Sequence, residues 1–259
     1  MRESRDIVRQ IAVAASAVFA VIAAFVGSGA AGGVPIQDAA GGALAADATL
    51  IAPAGSAFSI WSVIYIGLLA YAVWQMLPKQ SAAPRHRALG YWIAASLVLN
   101  GLWILSIQFD LLAISVPVIV VLLAVLIQSF RLARNQPPLG TVDAIITDGT
   151  IGLYLGWVSI ATAANVTALL VADGFTGFGL PAEVWAVIVL AVAAAAGVAT
   201  AIGGNGRIAP AVALSWGLAW VAVGRLTDEP ASTVTGVAAL IAVVIVLATT
   251  VAARIRSAR

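Results

Sequence analysis

Eight long apolar segments alternate with short polar stretches along the chain. A membrane-spanning segment needs about 20 mostly apolar residues, and it must be helical because hydrocarbon offers the backbone no hydrogen-bond partner. The breaks contain turn-forming residues, such as Pro137–Pro138 and Gly203–Gly204. The pattern therefore predicts eight transmembrane helices, at residues 7–27, 57–77, 88–109, 111–134, 146–171, 182–203, 208–225 and 232–253.

The composition agrees with a chain embedded in lipid. Of the 259 residues, 62% are hydrophobic and 9% are charged, whereas about a quarter of the residues in soluble domains are charged. The predicted fold class is therefore an all-α integral membrane protein. The absence of cysteine excludes disulfides and thiolate metal sites. Arginine-rich, lysine-poor usage with much alanine and valine favours a GC-rich bacterial source, and hence a bacterial plasma membrane.

The basic residues occupy every second connection of the eight-helix prediction. Of the 13 Lys and Arg residues, only Arg225 falls on the opposite side of the predicted membrane. The positive-inside rule then predicts a multi-pass protein with both termini in the cytoplasm. Because the basic residues lie on one predicted side of the membrane, the positive-inside rule accounts for the excess of positive charge. We therefore expect membrane lipid as a partner and no nucleic acid.

The first apolar segment has two interpretations. Its basic start and the small-residue run "SGAAGG" at 28–33 also fit a cleaved signal peptide, which would leave seven spans. The following stretch, residues 28–56, is rich in Ala and Gly and has no basic residue. It is long for a membrane connection, and we interpret it as an extracytoplasmic lid or a plain linker.

Large aromatic and amide side chains occur at similar depth in the second, third and fifth predicted helices. The two in the second helix are one turn apart, and three positions in the fifth helix are spaced four apart and share one face. We predict that these residues line an apolar cavity in the outer half of the bundle, beneath the 28–56 loop. They are Trp61, Tyr65, Asn100, Trp103, Trp157, Ala161 and Asn165.

These residue types also have structural interpretations. Tryptophan often anchors a helix at the lipid headgroups, and this is our interpretation of Trp74, Trp92 and Trp185. Intramembrane asparagine commonly hydrogen-bonds to a neighbouring helix. Asn100 and Asn165 can therefore join helices, line the cavity, or do both.

Three motifs carry a resemblance to a known family. "PAGSAFSIWSVIY", "LNGLW" and "YLGWVSIATAAN", in this order on helices two, three and five, resemble the tryptophan-rich sensory protein family, also called the translocator-protein or peripheral-type benzodiazepine receptor family. The resemblance covers roughly residues 7–172 and implies a five-helix bundle. It also implies a pocket for porphyrins, sterol-like lipids and apolar drugs, at the same seven positions named above.

The chain departs from the family pattern in two places. Family members carry a tryptophan and two prolines just before helix two, where this chain has "TLIAPAGSAF" with Pro53 alone. The family core also ends after five helices. We therefore predict two units, a translocator-protein-like bundle at 1–172 and three additional helices at 173–259, and we expect a chain ending near Asp173 to keep the bundle. The additional helices could contact a second copy or another membrane protein.

The leading hypothesis is a membrane receptor or carrier for a planar apolar ligand, such as a porphyrin or a sterol-like lipid. We expect no enzyme, although porphyrin breakdown stays open, and no required cofactor or metal. The single histidine, His86, falls in a predicted loop and is interpreted as solvated. One alternative is a secondary transporter with helices broken at Pro117 and Pro210. The other is a structural membrane subunit.

Overall fold

The computed structural model describes residues 3–31 and 34–258. Within these ranges it contains eight helices that are long and apolar enough to cross a membrane, which confirms the predicted all-α membrane class. Arg2, Arg259 and the Gly32–Gly33 pair of the alternative cleavage motif lie outside the described residues. The helices are α1 Ser4–Gly27, α2 Ile60–Trp74, α3 Pro84–Gln108, α4 Leu112–Asn135, α5 Thr141–Ala172, α6 Ala182–Gly203, α7 Ile208–Thr227 and α8 Thr233–Ser257.

The eight helices run alternately in opposite directions. The described ends of the chain therefore lie at one end of the bundle, which we call the terminal end. There Arg87 of α3 pairs with Glu3 at 3.2 Å, and Gly206, just before α7, lies against the backbone of Arg254 near the end of α8. The opposite end, which the 34–59 segment covers, is called the loop end.

Neither Pro117 nor Pro210 breaks a helix, contrary to the transporter interpretation. Pro117 is the sixth residue of α4, which continues unbroken to Asn135. Pro210 is the third residue of α7, where a missing backbone N–H removes no intrahelical hydrogen bond. An irregular stretch occurs within α5, where Ala144–Gly149 is wound as a π-helix between two α-helical parts.

The most extensive attachment of the last three helices to the rest of the chain is the packing of α7 against α5. α7 packs against α5 on one side and α8 on the other, and α8 also packs against α6. The approach of α7 to α5 depends on Gly156, because a Cβ there would lie 2.1 Å from the carbonyl oxygen of Pro210. The predicted boundary at 172 coincides with the end of α5, and the division into two units stays a prediction.

The terminal end contains a buried ionic cluster that corrects the interpretation of His86. α3 begins at Pro84, four residues before the predicted start, so His86 lies in its first turn and is fully buried. Its Nε2 lies 3.2 Å from Gln80 Oε1 and 3.7 Å from Asp143 Oδ1. The adjacent Arg85 pairs with Asp143 at 3.1 Å and also with Asp148. The cluster therefore joins α3 to the start of α5.

The same cluster corrects the interpretation of Trp74. Its indole Nε1 donates to Asp143 Oδ1 at 3.1 Å, so it is bound to protein rather than only to headgroups. Trp92, in contrast, is 38% exposed on the outside of α3. Trp185 is half-buried and donates to the Gly177 carbonyl at 2.9 Å.

The described part of the 28–56 loop packs against the loop end of the bundle. Ile51 and Ala57 are fully buried there, and a 3₁₀ turn at Gly55–Ser59 leads directly into α2. Thr49 fixes the preceding turn, since its hydroxyl accepts the backbone N–H of Ala52 at 3.0 Å. The described part of the loop therefore covers this end of the bundle, and its role as a lid stays a prediction.

Candidate functional site

An aromatic cluster forms where α2 meets α5 near the loop end. Trp61, in the first turn of α2, is at its centre. Its ring centroid lies 5.6 Å from that of Tyr65, 5.7 Å from that of Tyr154 and 6.2 Å from that of Trp157. Phe58, just before α2, contacts Trp157 edge-on at 5.8 Å. Such edge-to-face and tilted arrangements are the favoured geometries for aromatic pairs.

Asn165 makes hydrogen bonds to two other helices. Its side-chain oxygen accepts the indole N–H of Trp103 on α3 at 2.6 Å, and its amide donates to the hydroxyl of Ser115 on α4 at 2.9 Å. All three residues are buried. This residue therefore joins α3, α4 and α5, as the structural interpretation of intramembrane asparagine predicts.

Asn100 and Tyr65 form a second cross-helix pair. The Asn100 amide donates to the Tyr65 hydroxyl at 2.6 Å, which joins α3 to α2. The side-chain oxygen of Asn100 and the indole nitrogen of Trp157 are buried and have no hydrogen-bond partner among the described residues. Buried polar atoms are usually paired, so a ligand or a water could supply the partner of each.

Two cavities lie beside the aromatic cluster and share Phe58, Trp61 and Trp103 in their walls. The larger one, called here the loop chamber, has a volume of about 400 Å³ and lies between α1, α2, α3 and the loop. Its other lining residues are Ala24, Gly27, Ser28, Pro35, Ile36, Gln37, Tyr65 and Ile104.

The second cavity, called here the inner chamber, lies between the loop and α5. Its volume is about 40 Å³, so it is much narrower than the loop chamber. Beyond the three shared residues it is lined by Ala43, Leu44, Thr49, Ala52, Pro53, Trp157, Ile160, Ala161, Ala164, Asn165 and Ala168. The walls of both chambers are mostly apolar.

The structure brings the seven predicted residues into one region but divides them between the chambers. Trp61 and Trp103 line both, Tyr65 lines the loop chamber, and three residues of α5 line the inner one. Asn100 lines neither chamber, and its hydrogen bond to Tyr65 connects it to this region. The three residues of α5 are Trp157, Ala161 and Asn165.

Sequence reasoning did not select several residues of this region. Tyr154 lies three positions before Trp157, on the same side of α5, so helical spacing could have found it. Phe58 lies in the 3₁₀ turn before α2, and only its nearness to Trp61 signals a role. Ser115 gives no local signal, because its partner Asn165 is 50 positions away along the chain.

These features define a class of protein: a multi-helix membrane protein with an aromatic-walled cavity under a loop. The model of the TSPO-like protein family matches residues 12–251. The chain belongs to this family, which confirms the resemblance to translocator proteins. The match also includes α6 and α7 and most of α8. No match was found among curated proteins or among solved structures.

Proposed function

We propose that this protein is a membrane receptor or carrier that binds a flat apolar molecule, of the porphyrin or sterol-like lipid class, beneath its loop. The observation that supports this is the loop chamber. Its volume of about 400 Å³ falls within the range of about 300–1,000 Å³ typical of small-ligand sites. Trp61, Tyr65 and Trp103 contribute aromatic rings to its walls, which suit a flat hydrophobic body.

The chemistry of the walls supports a ligand with few polar groups. Most lining residues are aliphatic or aromatic, and Ser28 and Gln37 are polar residues at the loop side of the chamber. A ligand can therefore bury its apolar body against the rings while polar substituents face the loop. A sterol, which carries one hydroxyl group, and a porphyrin, which carries carboxylates at one edge, both have this form.

A fluorescence titration tests the proposal. The purified chain in detergent is titrated with protoporphyrin, and separately with a sterol, while the tryptophan emission is followed. We expect saturable quenching by protoporphyrin, because tryptophans line both chambers. Quenching that only rises linearly, as it does for a tryptophan ester in the same micelles, would reject a binding site. Flux of the bound compound in proteoliposomes then separates a carrier from a receptor.

Several further proposals accompany this function. We propose that binding needs no resident cofactor, involves no enzymatic step and has no nucleic-acid partner. We also propose a bacterial plasma membrane location with both termini in the cytoplasm. The apolar outer faces of α6–α8 would contact lipid or a second copy of the chain; Val192 of α6 and Val244 of α8, for example, are more than half exposed.

A further inference from the structure

Arg225, near the loop end of α7, holds the loop by its guanidinium group. The side chain is 1% exposed, and it donates to the carbonyl oxygens of Ala46 and Thr49 at 2.7 and 3.1 Å. A buried charge is tolerated only where it is well hydrogen-bonded. The planar fork of arginine can serve two acceptors at once, which a lysine cannot do in the same geometry.

Two more hydrogen bonds join the same helix to the next part of the loop. The indole N–H of Trp216 donates to the Ala57 carbonyl at 2.9 Å. The backbone N–H of Ala54 donates to the Trp220 carbonyl at 3.1 Å. Four hydrogen bonds from three residues of α7 therefore hold the loop segment 46–57.

The segment held in this way is one wall of the inner chamber. Thr49, Ala52 and Pro53 line that chamber, and Thr49 is also a direct partner of Arg225. The chamber residues found in the described structure include none from α7 itself. α7 therefore supports the chamber wall indirectly, by holding the loop residues that form it.

The inner chamber must widen before it can hold a ligand, since its volume of about 40 Å³ is far below the range of small-ligand sites. Most of its other walls belong to α5, which packs tightly against α7 at Gly156. We propose that Arg225 is a positioning residue that latches the loop onto α7, and that release of this latch opens the inner chamber. This inference rests on the proposed function, and it adds the inner chamber and its support by α7 to the proposed ligand site in the loop chamber.

Cysteine labelling tests the latch without any ligand, because the natural chain has no cysteine. Ala161→Cys places a thiol in the wall of the inner chamber, and a small methanethiosulfonate reagent reports its accessibility in the full chain in detergent. Adding Arg225→Met removes the charge and both hydrogen bonds but keeps a long unbranched side chain in the same place. We expect labelling at least about fivefold faster, as the loss of two net hydrogen bonds predicts. An unchanged rate would overturn the latch.

Two controls separate the latch from a loosened fold. Arg207→Met removes an arginine just before the opposite end of α7, and it should leave the labelling of Ala161→Cys unchanged. Ala20 of α1 is fully buried in the core, and the labelling of Ala20→Cys should not change when Arg225→Met is added. Faster labelling of Ala20→Cys as well would mean general loosening and would overturn the specific proposal.

A reversible crosslink tests whether the loop must leave α7 for binding. A Cβ on Gly224 would lie 3.7 Å from the Cβ of Ala54, within the range of about 3.5–4.5 Å found in disulfides. In the Ala54→Cys/Gly224→Cys variant, we expect protoporphyrin to associate at least about tenfold more slowly with the oxidised form than with the reduced form. Equal rates would overturn the opening step. If protoporphyrin binds neither form, the proposed function fails and the labelling result alone decides the latch.

Discussion

Asn165 shows how one residue can join helices and line a cavity. Replacing it with leucine removes the acceptor of Trp103 and the donor to Ser115. Because these buried groups would lose their partner, we expect the free energy of unfolding to fall by about 1–3 kcal/mol. Thermal unfolding in detergent measures the loss. Thr162→Val is the control, since its hydroxyl bonds only within α5; an equal melting temperature for the two variants would contradict the joining role.

Leucine variants of Trp61 and Trp157 can show which of the two chambers binds the ligand. Trp61 lines both and Trp157 lines only the inner one. An aromatic contact is worth about 0.5–1.5 kcal/mol beyond its buried area, so we expect each leucine variant to weaken protoporphyrin binding about 2- to 13-fold. Fluorescence titration measures the affinities.

The control for these variants is Trp92→Leu, because Trp92 is exposed on the outside of α3. Trp74 does not serve this purpose, since it bonds to Asp143 in the buried cluster. A loss at Trp61 alone would place the ligand in the loop chamber only. Unchanged affinity in both variants would reject the aromatic site.

Between helices, the contact of α5 with α7 depends on a missing side chain. Gly156→Ala would place a methyl group against the Pro210 carbonyl, where backbone atoms must move to make room. Overpacking of this kind typically costs about 1–3 kcal/mol, and we expect a lower melting temperature. Gly203→Ala is the matched control, because no atom lies within 4 Å of a Cβ built there. Equal stability of both variants would show that α7 shifts freely.

The elements themselves could be predicted from the sequence, because hydropathy along the chain reports directly on which segments lipid can solvate. The contacts between them could not. Arg225 and Ala46 are 179 positions apart, and no periodicity of either segment signals their bond. His86 was wrongly interpreted as solvated because the pattern placed the start of α3 too late, which left a buried residue in a predicted loop.

The candidate site could be predicted only in part for the same reason. Residue type and helical spacing predicted that the aromatic and amide side chains lie together, and the structure brings them into one region. The spacing could not show that Asn100 points its amide at Tyr65 instead of into a chamber. It also gave no sign that α7, outside the recognised motifs, supports the loop wall.

At the scale of the whole molecule, the last three described helices pack against the rest of the chain, and they do not form a loose extension. The family match runs through residue 251, and α7 contacts both α5 and the loop. The expectation that a chain ending near Asp173 keeps the five-helix bundle is tested by truncation at that point, with membrane insertion and protoporphyrin binding both measured. The contacts of Arg225 and Trp216 with the loop argue that the inner wall would lose its support.

The charges of this assembly predict its orientation. Arginines gather at the terminal end, where Arg85, Arg87 and Arg207 pair with acidic residues, and the positive-inside rule predicts that this end faces the cytoplasm. Ser4 and Ser257 are exposed there, so a cysteine at either should resist an impermeant thiol reagent in intact cells and react after permeabilisation. Asp173→Cys, exposed in the connection between α5 and α6, should react in both states. Strong labelling of Ser4→Cys or Ser257→Cys in intact cells would reverse or reject the topology, and with it the placement of the loop and its chambers on the outer side.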